Sequence, residues 1–159
     1  MSGFFLLKIC TFVINQKTNK VMMKTIHSYW AYIALAILII ACVNAIVGYT
    51  SKKEFKNKDL RISLFTLIVM HIQLLIGLGW YFMSPWYKSM KEVGIDASNR
   101  LMAVEHPIFM IVAIILITMG WSKHKKKATD TEKFKTIALF YSLALLLVLS
   151  RIPWTQWFN

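Results

Sequence analysis

Residues 27–48 read HSYWAYIALAILIIACVNAIVG, 22 positions without a charge. A helix needs about 20 apolar residues to cross roughly 30 Å of hydrocarbon. Taken at alternating steps of four and three, His27, Ala31, Ala34, Leu38, Ala41, Ala45 and Gly48 fall on one helical face. Apart from Leu38, every member of that face is small or is the histidine. Contact with lipid gives no reason for small residues, whereas close helix packing does. The segment is therefore predicted to turn a smooth face inward and to hold an imidazole at one end of it.

Working outward, the 159 residues are 57% hydrophobic and only 16% charged, the composition of a polytopic membrane protein. The predicted fold class is an all-α integral membrane protein, a four-transmembrane-helix bundle with short loops. Spans are expected at about 25–49, 62–83, 101–121 and 134–152, and short connections make neighbouring helices antiparallel. The formal charge of +12 lies in short basic runs between apolar segments. Membrane topology and anionic headgroups account for it, so nucleic acid is not an expected partner. Cys10 and Cys42 have no partner pattern, so neither a disulfide nor a thiolate metal site is expected. No GxGxxG, P-loop, zinc-finger spacing or HExxH is present, which leaves nucleotide binding and the common hydrolytic chemistries unsupported.

Residues 1–22 differ from the rest. Their apolar run, residues 4–14, is broken by Lys8 and is too short to span, and it lacks a secretory cleavage pattern. Met22 and Met23 directly precede KTIHSYW. The functional chain is expected to start near Met23, with 1–22 an upstream extension and 23–159 the membrane domain. A short interfacial segment is the alternative.

Lys52, Lys53, Lys56, Lys58 and Arg61 lie between the first two spans, and Lys123, Lys125, Lys126, Lys127, Lys133 and Lys135 between the last two. The positive-inside rule places these loops, 50–61 and 122–135, in the cytoplasm, with both termini and the middle loop outside. Lys8, Lys17, Lys20 and Lys24 argue the other way unless the chain begins at Met23. In the middle loop Pro85 ends the second helix, and Trp86, Tyr87, Met90 and Val93 suggest a lid on the outer surface. Trp154, Trp157 and Phe158 suggest a matching aromatic belt, with a quinone ring as the sharper reading of these aromatics.

Ionisable residues inside spans are costly and mark function by default. Here they are His27, His71, Glu105, His106 and Arg151, with Asn44 and Gln73 as uncharged companions; His124, in a lysine run, reads as solvated. At 1.5 Å per residue His27 and His106 come within roughly 5 Å of one level, near Arg151, while His71 lies some 10 Å deeper. Two histidines at one level on separate helices suit a b-type haem, each giving one axial nitrogen. The small residues after His27, with Met110, Ala113 and Gly120 after His106, leave room for the macrocycle. Arg151, Arg100 or Lys24 would hold its propionates. Glu105 would pair with Arg151 or tune the site. The metal ligands expected are His27 and His106, with His71 as alternative ligand or proton relay. A structural reading stands beside this one: His27 and His106 facing headgroups, and His71 bonded across to Asn44. Polar or small groups on both faces of the second helix place it centrally in the bundle or against another subunit.

The strings KTIHSYWAYI, RISLFTLIVMHIQLLIGLGWYF, EHP and SRIPW, in that order over about residues 23–158, resemble small bacterial four-helix membrane proteins labelled cytochrome b-like. That resemblance implies haem binding through His27, His71 or His106 and electron transfer in the bacterial cytoplasmic membrane. The early histidine also resembles four-helix protoporphyrinogen oxidases. Three functions follow as expectations. The first is a haem b protein exchanging electrons with a quinone or a redox partner protein. The second is a haem-dependent porphyrinogen oxidase, and the third a cofactor-free assembly subunit in a homo- or hetero-oligomer.

Overall fold

The computed structural model describes residues 2–86 and 97–157, and its elements are all helical. They are α1 (Ser2–Thr50), α2 (Asn57–Met83), α3 (Ala97–Arg100), α4 (His106–His124), α5 (Asp130–Arg151) and α6 (Trp154–Trp157), with a π-helical turn at Leu101–Glu105. Tyr87, Met90 and Val93 of the expected lid, and Phe158 of the expected belt, lie outside the described residues. Among the described residues four helical segments are long and apolar enough to cross a membrane: Lys17–Thr50, Asn57–Met83, Leu101–His124 and Asp130–Arg151. They close a ring in which α1 packs on α2, α2 on α4, α4 on α5 and α5 back on α1.

The helices start earlier than the hydropathy alone predicts. Between Phe4 and Val47 the sequence has neither glycine nor proline, so nothing interrupts α1, which runs through the expected boundary at Thr25. α5 starts at Asp130 because Thr129 caps it, its hydroxyl accepting the Glu132 N–H at 3.3 Å. Thr-x-x-Glu is the sequence mark of such a start. In the first turn of α2, Asp59 is 4% exposed. Its carboxylate accepts the Lys56 N–H at 3.0 Å and the Asn44 side-chain amide at 2.9 Å. The charge is thus spent on α2's own N-terminus, where the helix dipole favours it, and on a cross-helix bond to α1.

The inward stripe of α1 is buried as its spacing requires: Ala34, Leu38, Ala41 and Ala45 are at most 2% exposed. Its last member, Gly48, meets the Phe134 ring of α5 so closely that a Cβ there would sit 2.3 Å from Cε1. The outward faces carry Ile33, Ile40, Val43, Phe65, Leu75, Ile115 and Leu146, all exposed. Large apolar side chains outside and small ones inside are what helix packing in hydrocarbon produces.

α2 is one of the four walls rather than a central helix, because Ser63, Thr66 and Met70 face the core while Phe65, Ile68 and Leu75 face out. The two basic loops lie at one end of the bundle. Phe55 of the first is 4.9 Å from Phe134 and 5.7 Å from His124 of the second region. His124 is 2% exposed, its ring centre 4.8 Å from that of Trp121 with the planes inclined at 51°, and is not solvated. It continues the inward series Ala113, Ile117, Gly120 at helical spacing, and that geometry outweighs the lysines around it.

Candidate functional site

Two prolines shape the end of the bundle away from the basic loops. Pro107 has no N–H, so the Ala103 carbonyl four residues earlier lacks its helical partner. The backbone widens there into the π-helical turn Leu101–Glu105, and the Tyr81 hydroxyl of α2 donates to the Ala103 carbonyl at 2.8 Å. At the end of α5, Pro153 likewise leaves the Leu149 carbonyl without a helical N–H, and Trp154 Nε1–H donates to it at 3.2 Å. The carbonyl of Arg151, the last residue of that helix, is left over, and His106 Nδ1–H donates to it at 2.8 Å. Replacing Tyr81 by phenylalanine strands a half-buried carbonyl. The expected cost is about 1–3 kcal/mol, read as a lowered unfolding midpoint in mixed detergent micelles. An unchanged midpoint would show that the turn does not need the hydroxyl.

His106 faces His27 of α1. Their ring centres are 6.3 Å apart with planes at 89°. Gln73 of α2 reaches His27 with its amide nitrogen, 3.2 Å from both Nδ1 and the His27 carbonyl. Gly77, one turn along α2, leaves space for this ring: a Cβ there would lie 2.9 Å from His27 Cε1. The two imidazoles border a cavity of about 160 Å³ whose lining includes Lys24, Ala31, Ala34, Gly77, Trp86 and three methionines, Met70, Met102 and Met110.

The predicted pair His27/His106 is therefore brought together, and the others are distributed around it. Glu105 bridges Arg100 (Nε to Oε1, 2.8 Å) and Arg151 (Nε to Oε2, 3.3 Å), so both arginines of the expected propionate clamp already hold a carboxylate. The Arg151 guanidinium also lies over the Phe109 ring at 4.7 Å. Among the described residues, Lys24 is the cation that lines the cavity itself. His71 does not line it. Its Nδ1–H donates to the Leu67 carbonyl of its own helix at 2.7 Å, and its expected partner Asn44 is bonded to Asp59 instead. Trp86 lines the cavity rather than lying only in an interfacial belt, and Trp154 is exposed at the end of the bundle.

No family model, curated protein or solved structure matches this chain.

Two imidazoles bound to one metal through bonds of roughly 2 Å have ring centres roughly 6 Å apart, close to the separation of His27 and His106. His106 meets the requirements of a ligand as it stands. With Nδ1–H fixed on a carbonyl, Nε2 carries the lone pair, the usual arrangement behind a metal-ligating histidine. In His27 the Gln73 amide N–H points at Nδ1, which puts the ring proton on Nε2. Turning the amide over places Oε1, buried and without a partner as it stands, against Nδ1–H and frees Nε2 as a donor atom, at the cost of the amide's bond to the His27 carbonyl. Among the described residues no three His, Cys, Asp or Glu side chains converge as a metal site; an axial pair on a porphyrin needs two. The cavity is smaller than an iron porphyrin, so entry would displace lining side chains. Methionines are the residues best able to rearrange.

Proposed function

We propose that this chain is a membrane haem b protein that carries electrons. His27 and His106 would be its axial ligands, at the bundle end opposite the basic loops. The observation that carries this reading is the facing pair of imidazoles on separate helices, each held through Nδ1 and each turned toward one apolar cavity. When bound, the haem supplies one-electron exchange at its iron. The chain's residues do the rest. The Arg151 carbonyl and Gln73 fix the ligand rings. Ala31 and Ala34 would offer the macrocycle small side chains, and Gly77 makes room for the His27 ring. Lys24 offers a positive charge to a propionate, and the Arg100–Glu105–Arg151 bridge stiffens the rim. The positive-inside rule puts this end outside the bacterial cytoplasmic membrane.

A reduced-minus-oxidised visible spectrum of detergent-purified protein from haem-replete cells tests the reading. A b-type spectrum with about one haem per chain is expected. A colourless preparation that co-purifies with a larger complex would replace it with the assembly-subunit reading.

Gln73 gives a finer check. Gln73→Leu leaves the His27 ring without its holder and should weaken haem retention on the order of 10–100-fold. Gln73→Glu retains an acceptor for Nδ1–H, so it should keep the haem and lower its midpoint potential. Equal haem loss in both variants would show that Gln73 only packs.

A further inference from the structure

His71 lies near the middle of α2, which spans Asn57–Met83, at a depth with no headgroups to reach. It is half-buried and outside the cavity. Because a carbonyl can only accept, the 2.7 Å contact with the Leu67 carbonyl fixes the proton on Nδ1. Nε2 is then an acceptor, and it has no partner among the described residues. The same outer side of α2 carries Leu64, Ile68, Ile72 and Leu75, all exposed and apolar. Lipid tails offer such a nitrogen nothing, and an unsatisfied polar group in hydrocarbon is costly.

A second copy of the chain packed through this face would not satisfy it. Its own His71 would bring another acceptor-only nitrogen, and the leucines, isoleucines and Phe65 around it carry no donors. The complementary partner is a bilayer-soluble molecule with an apolar ring and a hydroxyl. We propose that His71 is the docking group for a hydroquinone-type diol approaching α2 from the lipid, through an O–H···Nε2 hydrogen bond. A quinone, having no hydroxyl, cannot make that bond, so the site selects the reduced form. The position suits an electron donor if the haem reading holds, and the relation to electron transfer rests on that reading. His71 and Gln73, which holds His27, are about 3 Å apart along the helix axis and about 200° apart around it. One faces the lipid flank and the other the proposed cofactor.

The test uses the full chain, with ¹⁵N-labelled histidine, in lipid nanodiscs under anaerobic reducing conditions. His71→Gln assigns the resonance, and tetramethylhydroquinone and its dimethyl ether serve as probes. The expected result is a saturable upfield shift of the His71 Nε2 signal with the diol and none with the ether. Three results would overturn the proposal: no shift with the diol, an equal shift with the ether, or a probe-free shift that tracks the protein-to-lipid ratio. The last would assign this face to a second copy. Because the signal belongs to His71 whether or not the protein is coloured, failure here is separate from failure of the haem spectrum.

Discussion

Protein carrying His106→Ala is expected to purify without haem absorbance, as is His27→Ala, while His71→Ala keeps a wild-type spectrum. Each of the first two changes removes one of the two imidazoles that line the cavity, and among the described residues no third histidine lines it to substitute. His71 cannot take over from across α2, where it is tied to Leu67. His106→Ala also strips the cap from the Arg151 carbonyl, so loss of colour by itself would not separate ligation from folding. His106→Gly with added imidazole makes the separation. Free imidazole restores the ligand nitrogen without restoring the covalent link, so absorbance should return with imidazole concentration. Colour lost in His71→Ala but kept in His27→Ala would overturn the assigned pair.

The second large effect lies in the packing at the other end. Adding a methyl at Gly48 drives it into the Phe134 ring, and overpacking of this kind costs about 1–3 kcal/mol. Phe134 is 1% exposed, and Phe134→Ala should cost about 3–5 kcal/mol through the cavity it opens beside Gly48 and Phe55. The double variant Gly48→Ala/Phe134→Ala should be less destabilised than the two single costs combined, by about 0.5–3 kcal/mol. The new methyl then occupies space the ring has vacated. Unfolding in mixed micelles measures all three, and strictly additive costs would show that the two positions are not in contact.

Much of this architecture was legible residue by residue. The stripe from Ala34 to Gly48 follows from helical spacing and residue size, and its burial needed no knowledge of the partner. The level shared by His27, His106 and Arg151 followed from counting residues along antiparallel helices. His124 was misjudged because its lysine neighbours obscured its place after Ala113, Ile117 and Gly120. Asp59 was passed over although an acid in the first turn of a helix is a start signal. The Thr129 cap was equally visible.

Which side chains meet across helices was not legible. The amide of Gln73 on His27 spans 46 positions, Tyr81 to Ala103 spans 22, and Tyr141 to the Ser63 carbonyl spans 78. The sequence by itself determined that four segments are apolar and long enough to cross a membrane, which faces are small, and that prolines at 107 and 153 leave carbonyls without helical partners. These are local properties, set by hydropathy, the 3.6-residue turn and the missing N–H of proline. Only the tertiary structure decided that His27 faces His106, that His71 stands apart, and that Glu105 holds both arginines. Those outcomes depend on how each helix is rotated against its neighbours, which is fixed by the packing of all four together.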